Sequence, residues 1–209
     1  MNLTPCVFLV DDQPAVLKAL SRLLISAGIN VAAFASAQDF LDSDSDNALG
    51  CLVLDLAMPG MNGMALQQAL AARKSVLPVI FLTGHGDIDT GVQAMKLGAA
   101  DFLTKPVDGD KLLRAVRVAI DSNRQTRLDR AELDDIVKRL ASLTPREREV
   151  LALVVQGKLN KQAAAELGTV EKTIKVHRAR VMTKMQVRSL AELVRLVDRV
   201  GIRGAGQDR

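Results

Sequence analysis

The feature that most constrains this chain is a series of five short apolar runs, each followed by a helical pattern. Val7-Phe8-Leu9-Val10, Val31 to Phe34, Cys51-Leu52-Val53-Leu54, Val79-Ile80-Phe81-Leu82 and Asp101-Phe102-Leu103 read as strands. Unbroken apolarity, rather than strict alternation, marks strands covered on both faces. Between them, Val16, Leu20, Leu23 and Leu24 recur at helical spacing, and Ala27-Gly28 closes that helix. Gln38–Leu41, Met64–Ala72, Thr90–Leu97 and a stretch starting near Asp108 supply four more helices. Alternating strands and helices with right-handed crossovers give a doubly wound parallel sheet, an α/β fold. The chain has 209 residues, so a second, smaller domain fits behind it.

In such a sheet the functional crevice lies outside the C-terminal ends of the strands. Asp11 and Asp12 follow the first run, Asp55 the third and Thr83 the fourth, and Lys105 stands near the end of the fifth. Three clustered carboxylates repel one another and so attract a cation. Hard oxygen ligands with an incomplete shell suit Mg²⁺, which keeps waters and accepts phosphate oxygens. An ammonium and a hydroxyl beside it complete a cage for a phosphoryl group, with Lys105 and Thr83 each meeting one oxygen. Asp55 is then a nucleophile that takes the phosphoryl group as an acyl phosphate. The plainer reading, that loop-end Asp residues only cap the following helices, accounts well for one Asp. It does not readily account for five suited residues on one edge.

The charge is uneven. Residues 1–120 hold twelve Asp and no Glu against nine Lys and Arg, residues 121–141 balance, and residues 142–209 hold seven acids against fourteen bases. Two domains with different partners follow, and the basic one suits nucleic acid, although a merely soluble basic surface has the same composition. Cys6 and Cys51 lie in apolar runs and read as small buried hydrophobes in a reducing cytosol. Two His and two Cys leave no zinc site. With no Trp or Tyr and five Phe, aromatic platforms for stacking bases are excluded. No run is long enough to span a membrane and no signal peptide is evident, so a cytoplasmic protein is expected.

Residues 121–141 read as a polar helix prolonging the fifth helix and then a short link, in effect a solvated spacer. Thr144, Pro145 and Glu147 then form a helix start with a capping box. Gly157 ends that helix, and Lys161–Leu167, Glu171–Met185 and Leu190–Val200 follow. Four short helices with Gly168 between two of them match a helix-turn-helix. The tail past Gly201 is expected to be disordered.

Several of these segments carry a resemblance. Val10-Asp11-Asp12, the run Asp55-Leu56-Ala57-Met58-Pro59-Gly60-Met61-Asn62-Gly63, Thr83-Gly84-His85-Gly86-Asp87 and Lys105-Pro106 resemble the receiver domain of two-component response regulators. Leu143-Thr144-Pro145-Arg146-Glu147 and Thr173-Ile174-Lys175-Val176-His177-Arg178 resemble the DNA-binding domain of the LuxR/NarL class, and the pairing is most similar to the FixJ-type subgroup. The resemblance implies a flavodoxin-like (βα)5 receiver over 1–120, a helical linker over 121–141, an all-α four-helix domain over 142–202 and a tail over 203–209. It implies Asp55 as phosphoryl acceptor from a sensor histidine kinase, and Mg²⁺ on Asp12, Asp55 and the Ala57 carbonyl, with Asp11 acting through water. It further implies Thr83 and Lys105 as sensors of the phosphoryl group, a cis Lys105–Pro106 bond, and Phe102 as a switch aromatic, a residue equally well explained as core. Ala57 and His85 take positions that tune dephosphorylation. Dimerisation on phosphorylation, binding of double-stranded promoter DNA and contact with RNA polymerase complete the implied picture, with activation favoured over repression.

In a helix-turn-helix the second helix enters the major groove. Within Glu171–Met185, Ile174, Val181 and Met185 share the core face, and Lys172, Lys175, Val176 and Ala179 lie toward the other side. Lys175 is the candidate for a guanine edge, and Val176 and Ala179 for thymine methyls. Thr173, Lys161, Arg178 and Lys184 are candidates for phosphates, as is Thr144 near its helix start. His177 suits either a phosphate or a partly buried structural role, the latter being favoured. The turn departs from the family pattern, since Val170 is a poor cap and Thr169 offers an alternative. The last helix, with Leu190, Leu193, Val194 and Val197, either closes its own core or pairs two DNA-bound domains. Two other readings compete. A small aspartyl-phosphate hydrolase would want a second acid where Ala57 stands, and a phosphorylation-independent regulator with a pseudo-receiver would not need the intact Asp11, Asp12, Asp55, Thr83 and Lys105.

Overall fold

A computed structural model of the chain describes residues 4–84 and 95–201. His85, Gly86 and Asp87, most of the helix expected over Thr90–Leu97, and the tail 203–209 lie outside the described residues. The chain divides into two compact units, Met1–Leu128 and Asp129–Arg209.

The first unit is built on five strands: β1 (Cys6–Val10), β2 (Asn30–Phe34), β3 (Gly50–Asp55), β4 (Val79–Thr83) and β5 (Asp101–Thr104). They pair in the order β2-β1-β3-β4-β5, all parallel. Each of the five apolar runs is therefore a strand. Every residue of β3 and β4 is buried, as an interior strand with helices on both faces requires. Successive side chains go to opposite layers. Val7 and Leu9 join Val53, Ile80 and Leu82 in a core closed by α1 (Pro14–Ser26) and by the start of α4 (Gly109–Ala141), through Leu20, Leu24, Leu112 and Val116. Phe8 and Val10 join Leu52, Leu54 and Phe81 on the other face, beneath α2 (Ala37–Asp42) and α3 (Gly63–Ala72), through Phe40, Leu66 and Leu70. β1 stands between β2 and β3, so the chain reverses direction across the sheet there. Asp11 and Asp55 leave the strand ends at that switch point.

The segment expected to be a spacer is an unbroken helix through Ala141. Asn123 and Ile136 within it are buried, so it is not merely a solvated link. Its residues from Asp129 onward belong to the second unit, where Leu140 packs into the core and Arg139 donates to the Met185 carbonyl at 3.1 Å.

The second unit continues with α5 (Pro145–Val155), α6 (Asn160–Glu166), α7 (Glu171–Met185) and α8 (Leu190–Arg199). Its core holds Leu143, Val150, Val154, Ile174, Val181, Met185, Leu193 and Val197. The Thr144–Glu147 capping box is present: the Glu147 N–H donates to Thr144 Oγ1 at 3.3 Å, and the Thr144 N–H donates to Glu147 Oε2 at 2.8 Å. α6 and α7 meet through a turn in which Gly168 has φ of 59°, a left-handed conformation that glycine adopts without strain. α7 starts after Val170, whose side chain makes no cap, and Thr169 does not take over that role.

Glu147 is 2% exposed, and its carboxylate also accepts from Lys184 Nζ at 2.6 Å. The Lys184 hydrogen bond, then that from the Thr144 N–H, hold its carboxyl down at about 2, against an ordinary 4.5. A carboxylate depressed in the folded state stabilises fully above its unfolded value and loses that contribution as pH falls through the folded value. The calorimetric melting temperature of the second unit is thus expected to drop between pH 4.5 and about 2. Glu147→Gln should flatten this dependence, and an unchanged pH profile in that variant would refute the assignment.

Candidate functional site: an acidic sheet edge and a helix-turn-helix face

At the C-terminal edge of the sheet, carboxylate oxygens of Asp11, Asp12 and Asp55 lie within 4.8 Å of one another. Asp11 and Asp55 are buried and Asp12 is exposed, so the group opens to solvent on one side. Lys105 Nζ bridges the two buried acids, 2.7 Å from Asp11 Oδ2 and 3.1 Å from Asp55 Oδ2. Asp11 Oδ1 also accepts from the Gln13 N–H at 2.9 Å. Burial pushes the Asp55 carboxyl above the ordinary range, and the Lys105 hydrogen bond and charge only partly counter it. Burial alone would lower Lys105, but hydrogen bonds and charges from Asp11 and Asp55 outweigh it and raise the ammonium. Lys105 therefore carries its positive charge at neutral pH, beside Asp55.

Backbone geometry holds these groups. The Lys105 N–H donates to the Thr83 carbonyl at 2.6 Å, tying the end of β5 to that of β4, and the Lys105–Pro106 peptide is cis. Thr83 is buried, and its Oγ1 donates to the Gly84 carbonyl at 3.1 Å. Gly63 opens α3 against the Asp55 backbone; a Cβ there would stand 2.5 Å from the Asp55 carbonyl oxygen. Phe102, paired in register with Phe81, is half-buried against the core layer beneath α2 and α3. Ala57 is exposed, and its N–H donates to Asp55 Oδ1 at 3.5 Å. The five residues expected at this edge, Asp11, Asp12, Asp55, Thr83 and Lys105, thus stand at the strand ends, and three of them, Asp11, Asp55 and Lys105, share direct ion pairs. The donor set suits a small hard cation: all oxygen, with two buried carboxylates and one accessible one.

The second unit presents the solvent face of α7. Ile174, Val181 and Met185 are buried as expected, while Lys172, Lys175, Val176, Ala179 and Arg180 are exposed. Val176 keeps 45% of its surface. Lys175 Nζ lies 3.0 Å from Glu171, one turn earlier, and Arg178 donates to Asn160 Oδ1 at 3.3 Å. Thr173 is half-buried and Lys161 exposed. Lys184, expected at a phosphate, has its ammonium 2.6 Å from Glu147 Oε2 and 3.1 Å from the Ser142 carbonyl. His177 is half-buried, and its Nδ1 has no hydrogen-bond partner among the described residues. Two cations on the outward arc, Lys172 and Arg180, carry no contact assigned from the sequence. Both are discoverable from the helical period, since each stands four residues from Val176.

Together the two units define a class of protein in which a parallel sheet with an acidic edge is joined to a helix-turn-helix module. Comparison with known proteins agrees. Residues 7–117 match the response regulator receiver domain, and residues 141–197 match the bacterial regulatory proteins of the luxR family. The chain is 43% identical over 194 residues to the response regulator protein TodT of Pseudomonas putida, covering 93% of this chain and 86% of the relative. It is 44% identical over 196 residues to the transcriptional regulatory protein FixJ of Bradyrhizobium diazoefficiens, covering 94% and 96%. The solved structure of response regulator StyR matches with a TM-score of 0.86 at 46% identity, over 93% of this chain and 98% of that one. The chain belongs to the two-component response regulators that carry a LuxR-type DNA-binding domain. No helix among the described residues is long and apolar enough to cross a membrane.

Proposed function

We propose that this regulator accepts a phosphoryl group on Asp55 from a sensor histidine kinase and thereby controls promoter DNA binding. The observation that carries the reading is Lys105 held between Asp11 and Asp55 at the sheet edge. Mg²⁺ would be held by Asp12, Asp55 and the Ala57 carbonyl, with Asp11 through water, and supplies neutralising charge for the phosphoryl oxygens. An Asp55 carboxylate oxygen bonds phosphorus as the N–P bond of the phosphohistidine breaks, and the electron pair leaves on the imidazole. Lys105 neutralises one phosphoryl oxygen and Thr83 Oγ1 donates to another. Phosphorylation adds close to two negative charges at this edge. Thr83 turns toward them and Phe102 follows into the space it leaves.

The altered face then pairs two copies. In support, a groove beside β5 is lined by Leu103, Ala115 and Val118, with Asp101, Lys111 and Arg114 at its margin. Val118 keeps 70% of its surface. The one acid, Asp101, and the two bases, Lys111 and Arg114, on this patch would attract their counterparts in a second copy across a two-fold interface. DNA is read by α7: Lys175 at a guanine edge, Val176 and Ala179 at thymine methyls, and Thr173, Arg178 and Lys161 at phosphates. A domain span of 1–120, 121–141 and 142–202, location in the cytoplasm, contact with RNA polymerase and transcriptional activation complete the reading.

Sedimentation of the purified protein with Mg²⁺ and beryllofluoride, followed by titration of duplexes selected from a random library, tests it. Dimerisation with tighter binding is expected, and modification of Asp55 without either change would refute the coupling. At the DNA, Lys175→Ala is expected to cost about 1–3 kcal/mol and relax one base position, whereas Lys161→Ala weakens all sequences alike and lowers the salt slope by about one. Binding curves on the selected and single-mismatch duplexes across salt concentrations distinguish the two.

A further inference from the structure

Past residue 117, where the receiver match ends, α4 carries two polar side chains that the phosphoacceptor chemistry does not use. Asn123 is 1% exposed. Its Oδ1 accepts from the Gly50 N–H at 3.2 Å, and its Nδ2 donates to the Val76 carbonyl at 2.6 Å. Gly50 opens β3, and Val76 leads into β4. One helical turn later, Arg127 Nη1 donates to the Asn47 carbonyl at 2.8 Å. The same chain segment is braced from another side, where Ser75 Oγ donates to the Asp46 carbonyl at 2.6 Å. The N-terminal edge of the sheet, opposite the acidic edge, is thus closed by side chains of α4 in addition to the pairing of β1 with β3.

The chemistry is selective. A neutral amide both donates and accepts, so Asn123 satisfies a buried N–H and a buried C=O together. Left alone, each would carry the desolvation cost of an unpaired buried group. Asn123 and Arg127 are four residues apart, so both face the sheet from one side of the helix. Because each residue advances a helix by about 100°, two such ties fix its rotation about its own axis. Resting on the phosphorylation control proposed above, we infer that Asn123 and Arg127 are a positioning anchor. They lock the phase of α4 to the entries of β3 and β4, so that a change in the receiver is delivered along the helix beyond residue 117.

Hydrogen exchange by mass spectrometry on the full-length protein, compared across wild type, Asn123→Ala and Arg127→Ala, tests the anchor. Exchange is expected to rise about tenfold in peptides covering 47–51 and 119–128 of Asn123→Ala, the effect of losing one net buried hydrogen bond, and by a smaller factor in the same peptides of Arg127→Ala, whose bond to Asn47 is exposed. Peptides covering 52–56 and 79–83 stay unchanged, and both variants still take phosphoryl from acetyl phosphate. The beryllofluoride-driven gain in affinity for the library-selected duplex falls about fivefold or more, within the usual range of a coupling free energy, while basal affinity is kept. Arg127 lies nearer the surface than Asn123, so its variant keeps the test sound if Asn123→Ala unfolds. Uniformly faster exchange through the first unit, or an Arg127→Ala protein that retains the full gain, overturns the anchor. A wild type that shows no gain overturns the phosphorylation reading and the coupling role with it, while the exchange pattern still decides the tie itself.

Discussion

Asp55→Asn is expected to abolish phosphoryl incorporation from acetyl phosphate and, with it, phosphorylation-driven dimerisation and the gain in DNA affinity. Asn has nearly the same volume but no carboxylate oxygen to form the acyl phosphate. The rest of the edge survives the change, because Lys105 keeps its 2.7 Å contact to Asp11 and its backbone bond to Thr83. The loss is therefore chemical and not a failure to fold. Moving a two-state switch from almost entirely off to almost entirely on takes ~10⁴-fold differential affinity, about 5.5 kcal/mol. Several charge-assisted hydrogen bonds at about 1.5–3 kcal/mol each, from Lys105, Thr83 and nearby backbone N–H groups, together reach that order. Phosphoprotein gels, sedimentation and DNA titration, run with Mg²⁺ on both proteins, check the claim. An Asp55→Asn protein that still takes phosphoryl stoichiometrically would place the acceptor elsewhere. One that still gains affinity under phosphodonor would break the link between acceptor and DNA.

The second large effect is structural. Gly50→Ala is expected to cost about 3 kcal/mol or more, from steric overlap and backbone strain combined. Gly50 has φ of 155°, and a Cβ built on it would stand 1.8 Å from the Cys6 carbonyl oxygen. The atoms it would meet are all backbone, so no flexible side chain can yield. The clash falls where β1 pairs with β3 and where Asn123 accepts the Gly50 N–H. Opening it breaks both. For a unit of this size the melting temperature should fall by about 10 °C or more, read by calorimetry on the transition of the first unit. The second unit should melt as in wild type, since its core shares no residue with this strand. A variant within about 2–3 °C of wild type, the scale of an ordinary surface substitution, would show that β1 and β3 can separate without cost.

The outcomes of the sequence reading follow a physical pattern. The five strands were legible because a strand buried on both faces must be apolar throughout, and β3 and β4 are. The acidic edge was legible because the residue after each such run must emerge at one edge of a parallel sheet. Asp11, Asp55 and Thr83 are those residues. The Thr144–Glu147 box was legible because capping is local, made within four residues of chain.

Contacts across long stretches of chain were not legible. Residues 121–141 look like a spacer because polar side chains dominate them. Their order rests on Asn123 finding backbone groups 73 and 47 positions away, and on Ile136 finding cover in the second unit. Lys184 looks like a cation for DNA because charge and helix position agree. Only the fold brings it to the buried Glu147, 37 positions earlier. The order of strands and helices, the identity of the acidic edge and the local caps were thus determined by the sequence, through periodicity and nearest-neighbour chemistry. Which polar side chains are free to meet a partner was decided by tertiary structure alone, because a buried donor or acceptor must be satisfied by whatever the fold brings beside it.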